Sequence, residues 1–413
     1  MEITFIHAAD LHLGRVYSGL RHLPEKIYKQ LEESAYRSLE RIISAAIENN
    51  VDFVLFVGDL FDSNTVSLRA QIRFRGQLER LEEHGIQAFI SFGNHDPLST
   101  DNRSIVWPSC VNVFDREEVM SIPFIKNGQQ RARIYGFSYE TPKVLVDKST
   151  EYIRKDEAGF HIGMLHGNAE GQSEHDPYAP FSVSALLEKD FDYWALGHIH
   201  KRMIVSKEPP VVYPGNIQGM HIKETGEKGC FLVKLSKGTV PKTTFISTAD
   251  IVWQERELSI TNLSTVDELL EKLASLKQEL RENKLDTFVK IRLTGYGVLN
   301  EILQSAEKLD DILWHIREEE EERKPFVWPV GIDVETTGDW NRDELKDRTD
   351  FIGEAVMTLE TYDGYEEALK PLFSHRMARR YLIEFNEEEK IKLLNKAERL
   401  LLTELFRGAS NDH

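Results

Sequence analysis

IQAFISFGNHDPLST, residues 86–100, joins an apolar run to a turn that carries Asn94, His95 and Asp96 side by side. The run reads as a buried strand. Turn chemistry accounts for Gly93, Asn94, Asp96 and Pro97, but it gives no reason for the imidazole of His95. In open α/β sheets, sites form beyond the carboxyl ends of the strands. A strand that ends on titratable groups therefore raises the question of how the other strands end.

They end the same way. EITFIHAA (2–9) runs into Asp10-Leu11-His12, and DFVLFVG (52–58) into Asp59-Leu60-Phe61-Asp62. FHIGMLH (160–166) closes on His166, followed by Gly167. DYWALGH (192–198) delivers Gly197-His198-Ile199-His200. Several of these runs are apolar on both faces, as in sheets covered on both sides. Between them lie amphipathic helical stretches. Residues 24–50 carry a stripe of Leu31, Leu39, Ile42, Ile43 and Ala46, and residues 67–85 end at Gly85, a helix stop. ARIYGFS (132–138) reads as a further strand, and VVYP, GCFLVKL and TTFIST follow without helices between them. The expected fold is α/β: a layered β-sandwich flanked by helices.

Asp10, His12, Asp59, Asn94, His166, His198 and His200 are thus directed toward one region. On an extended chain residues i and i+2 point the same way, so Asp10 with His12, and His198 with His200, can each offer two ligands to one side. Carboxylates, an amide oxygen and imidazoles without thiolate suit Mn²⁺, Fe or Zn²⁺. Seven donors exceed one ion's needs. They suit two divalent ions sharing a carboxylate, roughly 3.5–4 Å apart as in two-metal hydrolases.

The bulk numbers agree with a soluble multidomain chain. It has 413 residues, 41% hydrophobic and 29% charged, with a net charge of −18. That charge argues against non-specific nucleic-acid binding by the whole surface but leaves room for a local site. The two cysteines, Cys110 and Cys230, form neither a disulfide framework nor a metal ribbon. No stretch is apolar enough to span a bilayer, and MEITFIHAAD lacks the features of a signal peptide, so a cytoplasmic location without membrane contact is expected. Residues 1–247 read as one domain. Residues 248–340 form a small α/β domain of β-α-β-α-β pattern, and residues 341–413 a charged helical region. The acidic run Glu318 to Glu322 reads as a solvated helix end.

In this order, D-x-H, G-D-x-x-D, G-N-H-D, G-x-x-H and G-H-x-H resemble the calcineurin-like metallophosphoesterase signature. The resemblance implies Asp10, His12 and His200 on one metal, Asn94, His166 and His198 on the other, and Asp59 bridging. It implies His95 as acid or charge stabiliser and Asp62 as the carboxylate that orients it. Mn²⁺ is the first expectation for the metal. Asp96 stays open between a carboxylate supporting the site and a turn former. DLHLGRVYSG, GDLFDSNTVS, GNHDP, GHIHKR and VVYPGNIQG look like the SbcD-like DNA repair exonucleases. Ser63, where protein serine/threonine phosphatases carry Arg, points the same way. This resemblance implies DNA as substrate, a capping role for the small α/β domain and a coiled-coil ABC-type ATPase, SbcC-like, as partner. It also implies a homodimer, for which the helix with Leu68, Ile72 and Leu78 is the candidate seam. The terminal helix, with Leu393, Leu394, Ala397, Leu400, Leu401 and Leu405 along one side, is the candidate ATPase contact. The competing functions are a phosphatase or phosphodiesterase of small nucleotides and a scaffold without catalysis. Arg15 and Tyr17 are candidate DNA contacts, whereas Arg69, Arg73 and Arg75 read as helix solvation.

Overall fold

The computed structural model describes residues 1–62, 67–100, 105–155, 159–170, 178–338, 340, 342–377 and 385–409; Ser63 lies outside them. Two six-stranded sheets are layered face to face. The first contains β1 (Glu2–Ala9), β2 (Phe53–Val57), β3 (Gln87–Ser91), β4 (Val111–Val113), β11 (Gly229–Ser236) and β12 (Lys242–Ser247). Its order is β12-β11-β1-β2-β3-β4. The second contains β5 (Met120–Lys126), β6 (Gln129–Gly136), β7 (Phe160–His166), β8 (Tyr193–Gly197), β9 (Met203–Lys207) and β10 (Pro210–Tyr213), ordered β5-β6-β7-β8-β10-β9. β1 to β4 run parallel, as do β6, β7, β8 and β10.

Alternation along each strand divides the core. Phe5, Phe53 and Phe89 point between the sheets, where they meet Ile134, Ile162 and Ala195. Ile6, Val54 and Phe56 point outward to Leu39, Ile42, Phe74 and Leu78 from α1 (Glu25–Glu48) and α2 (Leu68–Glu83). The far face of the second sheet is covered by an aromatic layer that includes Trp194, Tyr152, Phe191 and Tyr213, joined by Leu186 of the short α3 (Val183–Leu187). Burying one such side chain stabilises the fold by about 1.5–3 kcal/mol. Strands buried on both faces are rigid mounts for whatever follows their ends. Registers make those ends flush: Ala9 pairs with Val57, Val57 with Ser91, and His166 with Gly197.

A three-stranded sheet follows, made of β13 (Ile251–Ser259), β14 (Asp286–Thr294) and β15 (Val327–Val334). Its connections carry α4 (Val266–Arg281), capped by a reciprocal Thr265–Glu268 box, and then α5 (Asn300–Leu303) and α6 (Ala306–Arg317). By internal contacts the chain divides into two units. One is residues 1–254 with 283–288 and 319–328; the other is 255–282, 289–318 and 329–413. The division crosses all three strands of this sheet. The acidic run follows the end of α6 and lies largely at the surface, as read, except at Glu320. Glu320 is fully buried and accepts a 2.8 Å hydrogen bond from the Val327 amide, so it pins the entry to β15.

The C-terminal helices are α7 (Arg342–Lys346), α8 (Phe351–Glu360), α9 (Tyr365–Ser374) and α10 (Glu387–Ala409). The cluster that α10 joins includes Leu405 but otherwise differs from the stripe read from its leucines. Leu402 packs with Trp340, Leu345 and Val356, joined by Leu405 and Phe406, while Leu400 and Leu401 stand exposed. Arg342 pairs with the buried Glu398 on this same face. On α2, Leu78 is core, and of the candidate seam only Leu68 and Ile72 face outward. Arg73 stacks on Tyr36 and pairs with Glu33, and Arg75 pairs with Glu79, so these arginines serve the helix surface. Among the described residues no helix is long and apolar enough to cross a membrane.

Candidate metal centre

All seven expected donors lie at the flush strand ends, but strand alternation does not aim them. β1 stops at Ala9, and Asp10 (φ 53°), His12 (φ 46°), Asp59 (φ 50°) and His198 (φ 97°) all have positive φ. Such backbone costs on the order of 1–3 kcal/mol per residue and persists only where the surroundings over-determine it. Here they do. Asp10 N donates to Gly58 O (3.2 Å), His12 N to Asp59 O (3.0 Å) and Leu13 N to Leu60 O (2.9 Å). The convergence comes from two interlocked left-handed turns, which replace the extended i, i+2 geometry expected from the motifs.

Asp96 ties these turns to the GNHD loop. One carboxylate oxygen accepts from Leu60 N (2.7 Å) and Phe61 N (3.1 Å), the other from Gly93 N (2.7 Å). It is a turn former that spans two loops, and burial pushes its carboxyl above the usual range. The glycines are needed for close approach. A Cβ on Gly58 would collide with the His166 ring, and one on Gly93 would collide with the Asp59 carboxylate.

Two groups of donors result: Asp10, His12 and His200, and Asp59, His166 and His198. In the first, His12 Nε2 lies 3.0 Å from His200 Nε2. In the second, Asn94 Oδ1 lies 3.1 Å from His166 Nε2 and 3.2 Å from His198 Nδ1. Asp59 Oδ2 sits between the groups, 3.4 Å from His166 Nε2 and 3.9 Å from His12 Nε2. The Asp10 carboxylate also accepts from His198 N at 3.0 Å.

The hydrogen-bond partners of His166 and His200 leave a ring nitrogen of each facing inward. His166 Nδ1 faces the carbonyl of Val57 at 3.1 Å and so carries the ring hydrogen. Its Nε2 lone pair then faces two further acceptors, Asn94 Oδ1 and Asp59 Oδ2. That meeting of lone pairs demands a proton or a metal ion. Burial works against protonation of His166, but the charge and hydrogen bond of Asp59, with Asp10 and the Val57 carbonyl, together outweigh it and raise the imidazole to about 9. In the first group His200 Nδ1 faces the carboxylate of Glu224 at 2.7 Å, which likewise turns Nε2 inward as an acceptor. Burial raises the Asp10 carboxyl, against the pull of His166, His200 and His12. The donors therefore fit two divalent metal ions.

His95 stands at the open edge of this cluster, with 41% of its side chain exposed. Its backbone N–H donates to Asp59 Oδ1 (2.9 Å), and its Nδ1 lies 3.2 Å from Asp62. Asp62 raises the His95 imidazole above its ordinary range, against burial. Asp62 also lies 3.6 Å from His12 Nδ1 and 3.6 Å from Arg15 Nη1. Burial works to raise its carboxyl, but the imidazoles of His12 and His95 outweigh it. His12, Asp62 and His95 are close enough to form a third potential ligand group, on the outer side of His12. Tyr17, a candidate DNA contact, is buried, whereas Arg15 is part-exposed and lies 3.6 Å from Asp62. Sequence reasoning missed Glu224. It lies in HIKETGEKG, where neither spacing nor a flanking strand marks it.

The calcineurin-like phosphoesterase family matches residues 3–202, and the middle domain of metallophosphoesterase YhaO matches residues 253–337. Metallophosphoesterase YhaO of Bacillus subtilis (strain 168) is 39% identical over 407 residues, covering 98% of each chain. The DNA double-strand break repair protein Mre11 of Sulfurisphaera tokodaii is 28% identical over 255 residues, 58% of this chain and 61% of that one. Its counterpart from Thermoplasma acidophilum is 27% identical over 343 residues, 75% of this chain and 81% of that one. A match of nearly full length to one metallophosphoesterase, with the phosphoesterase family lying over the strands that build the centre, places this chain in the calcineurin-like metallophosphoesterases, hydrolases of phosphoester bonds.

Proposed function

We propose that the chain is a two-metal-dependent phosphodiesterase acting on DNA, an exonuclease in repair or end processing. The observation that carries this reading is the convergence of lone pairs from two donor groups on either side of Asp59, with His95 at their open edge. Asp10, His12 and His200 would hold one divalent ion and Asn94, His166 and His198 the other, with Asp59 available to both. Oxygen and imidazole donors suit Mn²⁺ first, with Fe or Zn²⁺ as alternatives. When bound, such a pair supplies Lewis-acid charge for the phosphoryl oxygens and an activated water.

The chain's own contribution lies in His95 and Asp62. Asp62 engages Nδ1 of His95, fixes the ring and leaves Nε2 toward the open side. From there His95 can give a proton to the leaving oxygen or stabilise its charge, a role typically worth about 10²–10⁴ in rate. DNA is preferred over small nucleotides because the Mre11 relatives are DNA break repair proteins. Residues 1–247 are assigned as the nuclease domain, 248–340 as a capping domain and 341–413 as a partner-binding region. The exposed Leu400 and Leu401 are assigned to an SbcC-like ATPase, and Leu68 and Ile72 to a homodimer contact.

The test is digestion of end-labelled single- and double-stranded DNA with Mn²⁺, Mg²⁺ and Zn²⁺, run beside hydrolysis of cyclic nucleotides. Metal-dependent release of nucleotides from DNA ends is expected. Turnover of cyclic nucleotides with intact DNA would transfer the assignment to small nucleotides.

A further inference from the structure

The two sides of the centre are built unequally behind their histidines. His166 rests its outer nitrogen on a neutral backbone carbonyl, Val57 O. His200 rests its outer nitrogen on a carboxylate, Glu224 Oε1, at 2.7 Å. Glu224 is only 9% exposed and is itself held in place. Its other oxygen accepts from Asn216 Nδ2 (2.7 Å) and from the Met220 amide (2.8 Å), and His221 Nε2 lies 3.3 Å from Oε1. The same segment grips the backbone of His200. Its carbonyl accepts from Lys228 Nζ (3.0 Å) and Asn216 N (3.3 Å), and a Cβ on Gly215 would press on that carbonyl at 2.7 Å. Residues 213–228 therefore hold His200 at both its main chain and its ring.

We propose that Glu224 is a positioning residue for the His200 side of the centre, fixing the Nδ1–H tautomer and ring angle of His200 and strengthening that side's hold on its divalent cation. The inference rests on the reading of His200 as a metal ligand. A carboxylate behind an imidazole makes the ring a better donor than a carbonyl does. Removing such an outer partner typically costs about 10–100-fold in metal affinity. Because His166 depends on Val57 and not on Glu224, the loss is confined to one side.

The experiment is a Mn²⁺ titration of the metal-stripped full-length protein, with free Mn²⁺ read by electron paramagnetic resonance. Glu224→Gln should weaken one of two sites by about 10–100-fold and leave the other unchanged. In a His12→Ala background, which is expected to lack the His200-side ion, Glu224→Gln should have no further effect. In an Asn94→Ala background it should weaken the single remaining site. Glu224→Asp keeps the charge but draws it back from Nδ1, so it should lose less affinity at the same site. It also stands in if the Gln variant does not fold, and undiminished binding by it alone would then count against the role. Thermal melting of the metal-free variants shows whether they fold. Two wild-type sites with unchanged affinity in Glu224→Gln, or equal weakening of both, would overturn the inference. A wild-type protein that binds no divalent ion would instead overturn the metal reading beneath it.

Discussion

In β2 every side chain from Phe53 to Val57 is fully buried; in α10 Leu400 and Leu401 stand 66% and 43% exposed. The same class of apolar residue serves two ends. The strands need complete burial because the turns beyond them hold Asp10, His12, Asp59 and His198 in unfavourable backbone conformations. Only a dense, doubly covered sheet can keep those turns from relaxing. The terminal helix carries no such demand. It buries Leu402 and keeps the neighbouring leucines outside. The platform is specified by what its strands must hold still; the helix retains apolar surface of its own.

The largest effect should come from the point where the platform's two donor groups meet. Asp59→Asn is expected to lose both metal ions at once, because the carboxylate lies between His12 and His166. Its loss of turnover should exceed that of any residue that serves one side. Metal analysis of the purified variant checks this, and two ions held at normal affinity would refute the shared role. His95→Ala comes next. It should keep both ions and lose about 10²–10⁴ in rate. Loss of both ions would make His95 a ligand and not the acid.

A third substitution measures the platform against the helix directly. Phe56 is fully buried and stacks edge-on against Phe74 at 5.3 Å. Phe56→Ala should cost about 3–5 kcal/mol in urea unfolding. Leu400→Ala, on the exposed side of α10, should stay within about 0.5 kcal/mol. Comparable costs would erase the contrast between the two regions.

The same contrast decides what could be read from the sequence. β1, β2, β3, β7 and β8 were legible because burial on both faces leaves continuous apolar runs, and the motifs hang on their ends. The strands not read were β4, β5 and β9, and each lies at the edge of its sheet. Edge strands are covered less and tolerate breaks, as Pro123 within β5 shows. The seven donors were legible by type and order. How they converge was not: Asp and His are enriched at left-handed φ, but few of them adopt it, so residue type alone does not announce it at Asp10 and His12. Glu224 was hidden for a further reason. It reaches His200 across 24 residues of chain, and nothing local distinguishes it from the other charged residues of its loop.

The smallest effect on the platform should come from the C-terminal helices, and there the absence of an effect is informative. Removing residues 341–413 takes away Leu345, Val356 and Leu402, the partners of Trp340, but none of the seven donors and neither His95 nor Asp62. Metal binding and simple nuclease activity should therefore persist, while association with an SbcC-like ATPase should be lost. The truncation also uncovers Trp340, so a finer variant separates surface from packing. Leu400→Ala with Leu401→Ala removes apolar area that is in large part exposed and leaves Leu402 and the Arg342–Glu398 pair in place. This variant should match the wild type in stability and metal content yet bind the ATPase more weakly, because anchors of an amphipathic helix in a partner groove act through buried apolar area. Co-purification of wild type, truncation and double variant with the ATPase decides it. Equal capture of all three would return α10 to a purely internal role and leave the exposed leucines without a partner.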